Sequence, residues 1–160
     1  MGKHPVVRIL ASVLALVLVG CSEPEPPSAA GAGNPAFATA AGESIEWASL
    51  RGEWVLVNYW AEWCKPCLEE IPELNDVDAH EGITVLAVNF DGVSGEELVE
   101  LGQRMGIGFT MLADNPAPAL GWDMPQGLPA TFVVAPDGEL KDTLMGAQTE
   151  ADLMALMKRD

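Results

Sequence analysis

The stretch that most constrains this chain is WVLVNYWAEWCKPCLEEIPELN, residues 54–75. Trp54 to Trp60 is a run of aliphatic and aromatic residues broken only by Asn58. An apolar run without polar alternation reads as a strand buried on both faces. From about Cys64 to His80 the pattern turns helical, with Ile71 and Leu74 on one face. A second buried run follows at Ile83 to Phe90. Strand, helix and strand in that span predict a βαβ unit with parallel strands. Ser94 and Glu97 stand at capping-box spacing before a helix whose stripe is Leu98, Leu101 and Met105. FTMLAD, 109–114, is a short strand candidate. ATFVVAPDGELKDTLM, 130–145, reads as two strands around a Pro-Asp-Gly turn. Thr149 and Asp152 are positioned to cap a last helix that turns Leu153, Leu156 and Met157 to the sheet. The expected fold class is α/β, a mixed central sheet with helices on both faces.

The chain ahead of that domain has a different character. Lys3 and Arg8 precede Ile9 to Val19, an apolar run shorter than the ~20 residues of a spanning helix. A basic start and a short apolar run predict a secretory signal over residues 1–20. The run ends in LVGC, 18–21, which resembles a bacterial lipobox. That pattern implies cleavage before Cys21 and lipidation of its sulfur, with two or more acyl chains giving a stable anchor. Ser22 rather than Asp after that cysteine leans toward an outer membrane, where the cell has one. Ser22 to Gly42 is rich in Pro, Ala, Gly and Ser and has little bulk to bury. It is expected to be a flexible tether that reaches ~70 Å when extended. The folded domain is then 43–160.

Charge limits the partners. The 160 residues carry a formal charge of −16. Nucleic-acid affinity comes largely from basic residues, so that partner is not expected. An anionic membrane surface would also repel the chain, which leaves lipid on Cys21 as the means of attachment.

Three cysteines are an awkward number for an exported chain. If Cys21 carries lipid, Cys64 and Cys67 remain as a pair, in a compartment where disulfides persist. A structural zinc site wants four Cys or His ligands, and beyond this pair the only histidine after the signal is His80. Two thiolates can hold Cu(I), so a copper carrier stays open. A purely structural disulfide would close a very short loop and remove little unfolded-state entropy. The position favours redox chemistry. Cys64 falls at a strand-to-helix junction, where free N–H groups and the helix dipole favour a thiolate. Cys67 lies one turn on, and Pro66 suits the first turn because its missing N–H costs nothing there. Lys65 adds positive charge near the sulfur, while Glu62, Glu69 and Glu70 act against it.

VNYWAEWCKPC resembles the active-site segment of the thioredoxin fold, and GLPATFVVAPDG resembles its second landmark, a cis-proline before a strand. VLVNYWAEWCKPCLEEIPELN is most similar to the exported, membrane-tethered TlpA-like and ResA-like thiol-disulfide oxidoreductases. The resemblance spans Glu43 to Lys158. It implies that Cys64 attacks a substrate disulfide, Cys67 resolves the mixed disulfide, and Pro129 with Leu128 holds the substrate chain. Trp63 is expected to be exposed and to contact substrate, Trp60 to be core, and Lys65 and Pro66 to tune the potential. Copper-carrying proteins of this fold use a longer cysteine spacing and a distant histidine, which this chain lacks. Thioredoxin has a buried aspartate on the strand before the motif; here the matching residue is Asn58, which cannot titrate. The ResA-like branch has a functional glutamate three residues after the second cysteine. That implies a proton-handling role for Glu70, while Glu69 and Glu73 are read as solvated. Pro72 matches a helix-kinking proline of the family.

The expected function is reduction of disulfides in exported proteins, for example in cytochrome c maturation, by a monomer at the periplasmic or extracytoplasmic face of a membrane. A membrane thiol-electron transporter would recharge it. No cofactor and no metal are implied. The alternatives are a disulfide oxidase or isomerase, a copper carrier, or a non-catalytic binding lipoprotein.

Overall fold

The computed structural model describes residues 1–2 and 34–158. The expected signal peptide, Cys21 and most of the expected tether lie outside the described residues. Five strands form one sheet in the order β5-β4-β3-β6-β7. These are β3 (Trp54–Trp60), β4 (Ile83–Asn89), β5 (Thr110–Leu112), β6 (Ala130–Val134) and β7 (Leu140–Met145). β3 and β4 are parallel, as are β4 and β5. β6 runs antiparallel to both β3 and β7. The βαβ unit and the hairpin therefore form as the residue pattern predicts. β3, β4 and β6 are the middle strands of the sheet, which is why their residues are apolar without alternation.

Helices cover both faces. On one, α1 (Lys65–Asp78), α2 (Gly95–Met105) and α4 (Glu150–Met157) pack Leu74, Val77, Leu98, Leu101 and Leu153 onto Leu56 and Trp60 of β3, Val85 and Ala87 of β4, and Val133 of β6. On the other, the short α3 (Ala117–Leu120) and a 3-10 turn at Trp47–Leu50 cover Val57, Tyr59, Leu86 and Phe132. Each fully buried aliphatic or aromatic side chain contributes roughly 1.5–3 kcal/mol. The last helix is capped as expected, with Thr149 Oγ1 accepting from the Asp152 N–H.

The structure differs from expectation at two places in the fold. The tether does not extend to Gly42. β1 (Ala36–Ala38) and β2 (Ser44–Glu46) form an antiparallel hairpin, and Ala113 N–H and Ala40 N–H bond Ala38 O and Met111 O across to the β5 edge. Phe37 supplies the bulk that the surrounding Ala, Gly and Pro residues lack. It is buried and meets Trp47 edge-on at 5.8 Å. Phe37→Ala is expected to lower unfolding free energy by about 3 kcal/mol, read by denaturant titration. The capping box at Ser94 also does not form: the Ser94 side chain makes no cap hydrogen bond. Gly95 follows with φ +63°, so the chain enters α2 through a left-handed step that takes the hydroxyl off the free N–H groups.

Candidate functional site

The site lies where β3 ends and α1 begins. A turn closed by the Cys64 N–H on Ala61 O, 3.1 Å, brings the chain from the sheet into the helix. Cys64 is the helix N-cap with extended backbone, and Pro66 occupies the first turn. Cys64 and Cys67 are joined as a disulfide, with their Cα atoms 5.3 Å apart. The Cys67 N–H donates to Cys64 Sγ at 3.3 Å. The same N–H also donates to Cys64 O at 3.0 Å, and after reduction this shared donor and the helix dipole would both favour a Cys64 thiolate. Cys64 retains 4% exposure and Cys67 none, so an incoming sulfur meets Cys64 first.

Trp60 is fully buried and Trp63 is 67% exposed, as their positions suggested. Trp63 Nε1 donates to Asp91 Oδ2 at 3.0 Å, which fixes the indole beside the active-site turn. Lys65 Nζ lies 3.4 Å from Glu69 Oε1, and both side chains are largely exposed. Its charge is therefore shared with Glu69 and screened by solvent rather than directed at the sulfur. The Leu128–Pro129 peptide is cis and leads directly into β6. Pro72 lies inside α1, which continues through it.

Glu70 is buried, at 1% exposure. Burial pushes its carboxyl up from the ordinary 4.5 to about 7, and hydrogen bonds from the Gln148 N–H and Asn58 oppose that shift. Asn58 Nδ2 donates to Oε1 at 2.7 Å, and the Gln148 N–H donates to Oε2 at 2.9 Å. Helical spacing puts Glu70 on the face that carries Cys67, Ile71 and Leu74, and all four are buried. The two donors were not anticipated. From the sequence, Asn58 is marked only as a residue that cannot titrate. The Gln148 donor is a backbone group 78 residues from its acceptor, and no residue type marks it.

The same loop reaches the cis-proline. Gly146 N–H donates to Pro129 O at 2.9 Å, and Gln148 Nε2 donates to Gly146 O at 2.8 Å. Cysteine helix, carboxylate and cis-proline are thus bridged by the segment between β7 and α4. Glu73, expected to be solvated, instead accepts the Glu150 N–H at 2.9 Å and serves the N-terminus of α4. Among the described residues no three His, Cys, Asp or Glu side chains gather as a metal site.

Comparison with known proteins agrees with this geometry. The chain is 31% identical over 123 residues to the thiol-disulfide oxidoreductase ResA of Bacillus subtilis, a match covering 73% of this chain and 68% of that protein. It is 32% identical over 106 residues to the protein of that name from Geobacillus kaustophilus, covering 64% of this chain and 60% of that one. The chain thus spans about two thirds of the length of these curated relatives. Among solved structures, a thiol:disulfide interchange protein of the thioredoxin family from Chlorobium tepidum superposes with a TM-score of 0.66 at 26% identity, covering 78% of this chain and 91% of its own. StoA from Bacillus subtilis, at 21% identity and a TM-score of 0.60 over 78% of this chain and 97% of its own, shares the fold. The AhpC/TSA family pattern matches residues 30–143, a span that runs through β3, the cysteine helix and the cis-proline alike, and on that match the chain belongs to the AhpC/TSA family of thioredoxin-fold proteins.

Proposed function

We propose that this protein is a lipid-anchored, exported thiol-disulfide oxidoreductase that reduces disulfides of extracytoplasmic proteins through Cys64 and Cys67. The observation that carries the reading is the disulfide at the N-terminus of α1 with a buried carboxylic acid one turn beyond it. In the reduced protein the Cys64 thiolate attacks one sulfur of a substrate disulfide and expels the other as a thiolate. The Cys67 thiol then loses its proton to Glu70 and attacks Cys64 Sγ, releasing the second substrate thiolate. The substrate gains two electrons and the protein closes its disulfide. Each substrate thiolate takes up a proton, one of them relayed from Glu70.

Trp63, Leu128 and Pro129 hold the substrate chain beside Cys64, and the Lys65-Pro66 dipeptide tunes the potential of the pair, Pro66 through the first helical turn and Lys65 only weakly because its charge is shared with Glu69. Lipid on Cys21 tethers the domain to the membrane. A membrane thiol-electron transporter recharges the disulfide, and exported cysteine pairs such as those processed in cytochrome c maturation are the substrates. The relatives named as thiol-disulfide oxidoreductases support the activity. The basic and apolar start of the chain supports export.

The test is the equilibrium reduction potential of the Cys64–Cys67 pair against graded dithiol buffers. Reductants of this fold lie near about −270 mV and strong exported oxidants near about −120 mV. A value toward the lower figure is expected. A value at the upper figure would make the protein an oxidant, and a pair that does not cycle would end the enzymatic reading.

A further inference from the structure

The surroundings of Glu70 present a problem of hydrogen-bond polarity. As a carboxylate, Glu70 accepts from two donors, the Asn58 amide and the Gln148 N–H. As a neutral acid, one of its oxygens carries an O–H that needs an acceptor. The Gln148 donor is backbone and has no acceptor to offer in its place. Asn58 does, because its amide carries an acceptor oxygen on the other side of the same Cγ. Its second neighbour is equally adaptable. Asn58 Nδ2 donates to Thr131 Oγ1 at 3.0 Å, and a hydroxyl can accept or donate. Asn58 and Thr131 are paired across β3 and β6, and both are buried.

We propose that the Asn58 side-chain amide is a proton-linked rotor. It presents Nδ2 to the Glu70 carboxylate, and turns over to present Oδ1 when Glu70 Oε1 carries the proton. Thr131 then donates to Oδ1 instead of accepting from Nδ2. No bond is formed or broken beyond hydrogen bonds, and the proton remains on Glu70. Asn58 is a positioning residue that keeps both protonation states of Glu70 satisfied in a buried site. An aspartate at position 58 would compete for the same proton, and an apolar residue would leave neutral Glu70 facing only a donor.

The inference rests on the reading of Glu70 as the proton acceptor of Cys67. Glu70 is bonded by Asn58 of β3 and by the backbone of Gln148 ahead of α4; Asn58 is bonded in turn to Thr131 of β6, and Cys67 lies one turn back on α1, closed in the disulfide. The charged groups along the α1–α4 seam are engaged elsewhere: Glu73 with the Glu150 N–H, and Glu150 with His80 at 2.7 Å.

The experiment is a pH titration of the full oxidised chain by NMR, following the Glu70 carboxyl carbon and the Asn58 side-chain amide together. The expected result is a Glu70 midpoint close to neutral, with the Asn58 amide protons and nitrogen shifting at that same midpoint and becoming flat in Glu70→Gln. In Asn58→Ala both protonation states lose a partner, so the Glu70 midpoint should move by less than about half a pH unit. A fixed donor serves the carboxylate alone, and its loss would raise the midpoint by roughly one to two units. Asn58 signals that stay flat while Glu70 titrates, or a Glu70 that does not titrate between about pH 4 and 9, would overturn the rotor. The wild-type titration decides this even if Asn58→Ala does not fold. None of these signals requires turnover, so a failure of disulfide exchange would remove the functional reading and leave the rotor to its own outcome.

Discussion

Cys67→Ser is expected to arrest with substrate attached to Cys64, whereas Cys64→Ser should form no adduct. The asymmetry follows from burial. Cys64 is the sulfur with residual exposure, and it accepts the Cys67 N–H, so it is both the reachable and the activated member. Cys67 is sealed between α1 and the sheet and can attack only inward, onto a sulfur already held on Cys64. Removing it leaves the first exchange intact and blocks the second. Removing Cys64 leaves, among the described residues, no thiol that a substrate can approach. Each variant should lose roughly 10³-fold or more in steady-state reduction of a disulfide substrate, because no other group supplies the covalent path. The check is non-reducing mass analysis after incubation with a disulfide peptide: one added peptide per Cys67→Ser chain and none on Cys64→Ser. Equal labelling of both variants would mean that Cys67 is open to substrate, against its complete burial.

The residues that made this chemistry legible are those whose types are unusual for their place. Two cysteines after a buried strand announce themselves, and so does a proline ahead of the ATFVV strand. Glu70 could be placed because helical spacing ties it to Ile71 and Leu74. Features that depend on long-range contact could not be placed. The Gln148 donor is a backbone group, the role of Glu73 depends on where α4 docks, and Asn58 gains meaning only beside Glu70 and Thr131. Phe37 was hidden differently. One bulky residue in an Ala-Gly-Pro background carries no periodicity, and its burial depends on Trp47 arriving against it. Ser94 shows the converse, a local signal cancelled by the glycine after it.

Glu70 should also leave a signature in stability. Its folded carboxyl titrates at about 7 against an ordinary 4.5, with burial as the main cause. Between those values the folded protein holds a proton that the unfolded chain has released. Stability therefore falls as pH rises through this window, is fully retained below about 4.5 and levels off above about 7. At 1.36 kcal/mol per pH unit, the loss is about 3 kcal/mol. The other carboxylates titrate over part of the same range, so the contribution is read as a difference between wild type and Glu70→Gln. The glutamine is neutral throughout: its amide oxygen accepts the Gln148 N–H and its NH2 faces the Asn58 amide, which turns Oδ1 toward it. The cost of that exchange is fixed. It shifts the offset between the two proteins but not its slope with pH. The stability of Glu70→Gln minus that of wild type, both oxidised, should accordingly rise by about 3 kcal/mol from pH 4 to pH 8 in urea titrations. Turnover should move the other way. Above the Glu70 midpoint the wild-type carboxylate can take the Cys67 proton and the glutamine cannot, which is expected to slow resolution of the mixed disulfide by about 10²-fold or more. The initial attack by Cys64 should be nearly unaffected, because that step draws on the helix N-terminus rather than on Glu70. A flat stability difference would place Glu70 in contact with solvent or an unseen cation. A normal stability slope with unchanged resolution would leave Glu70 a buried acid that Cys67 does not use.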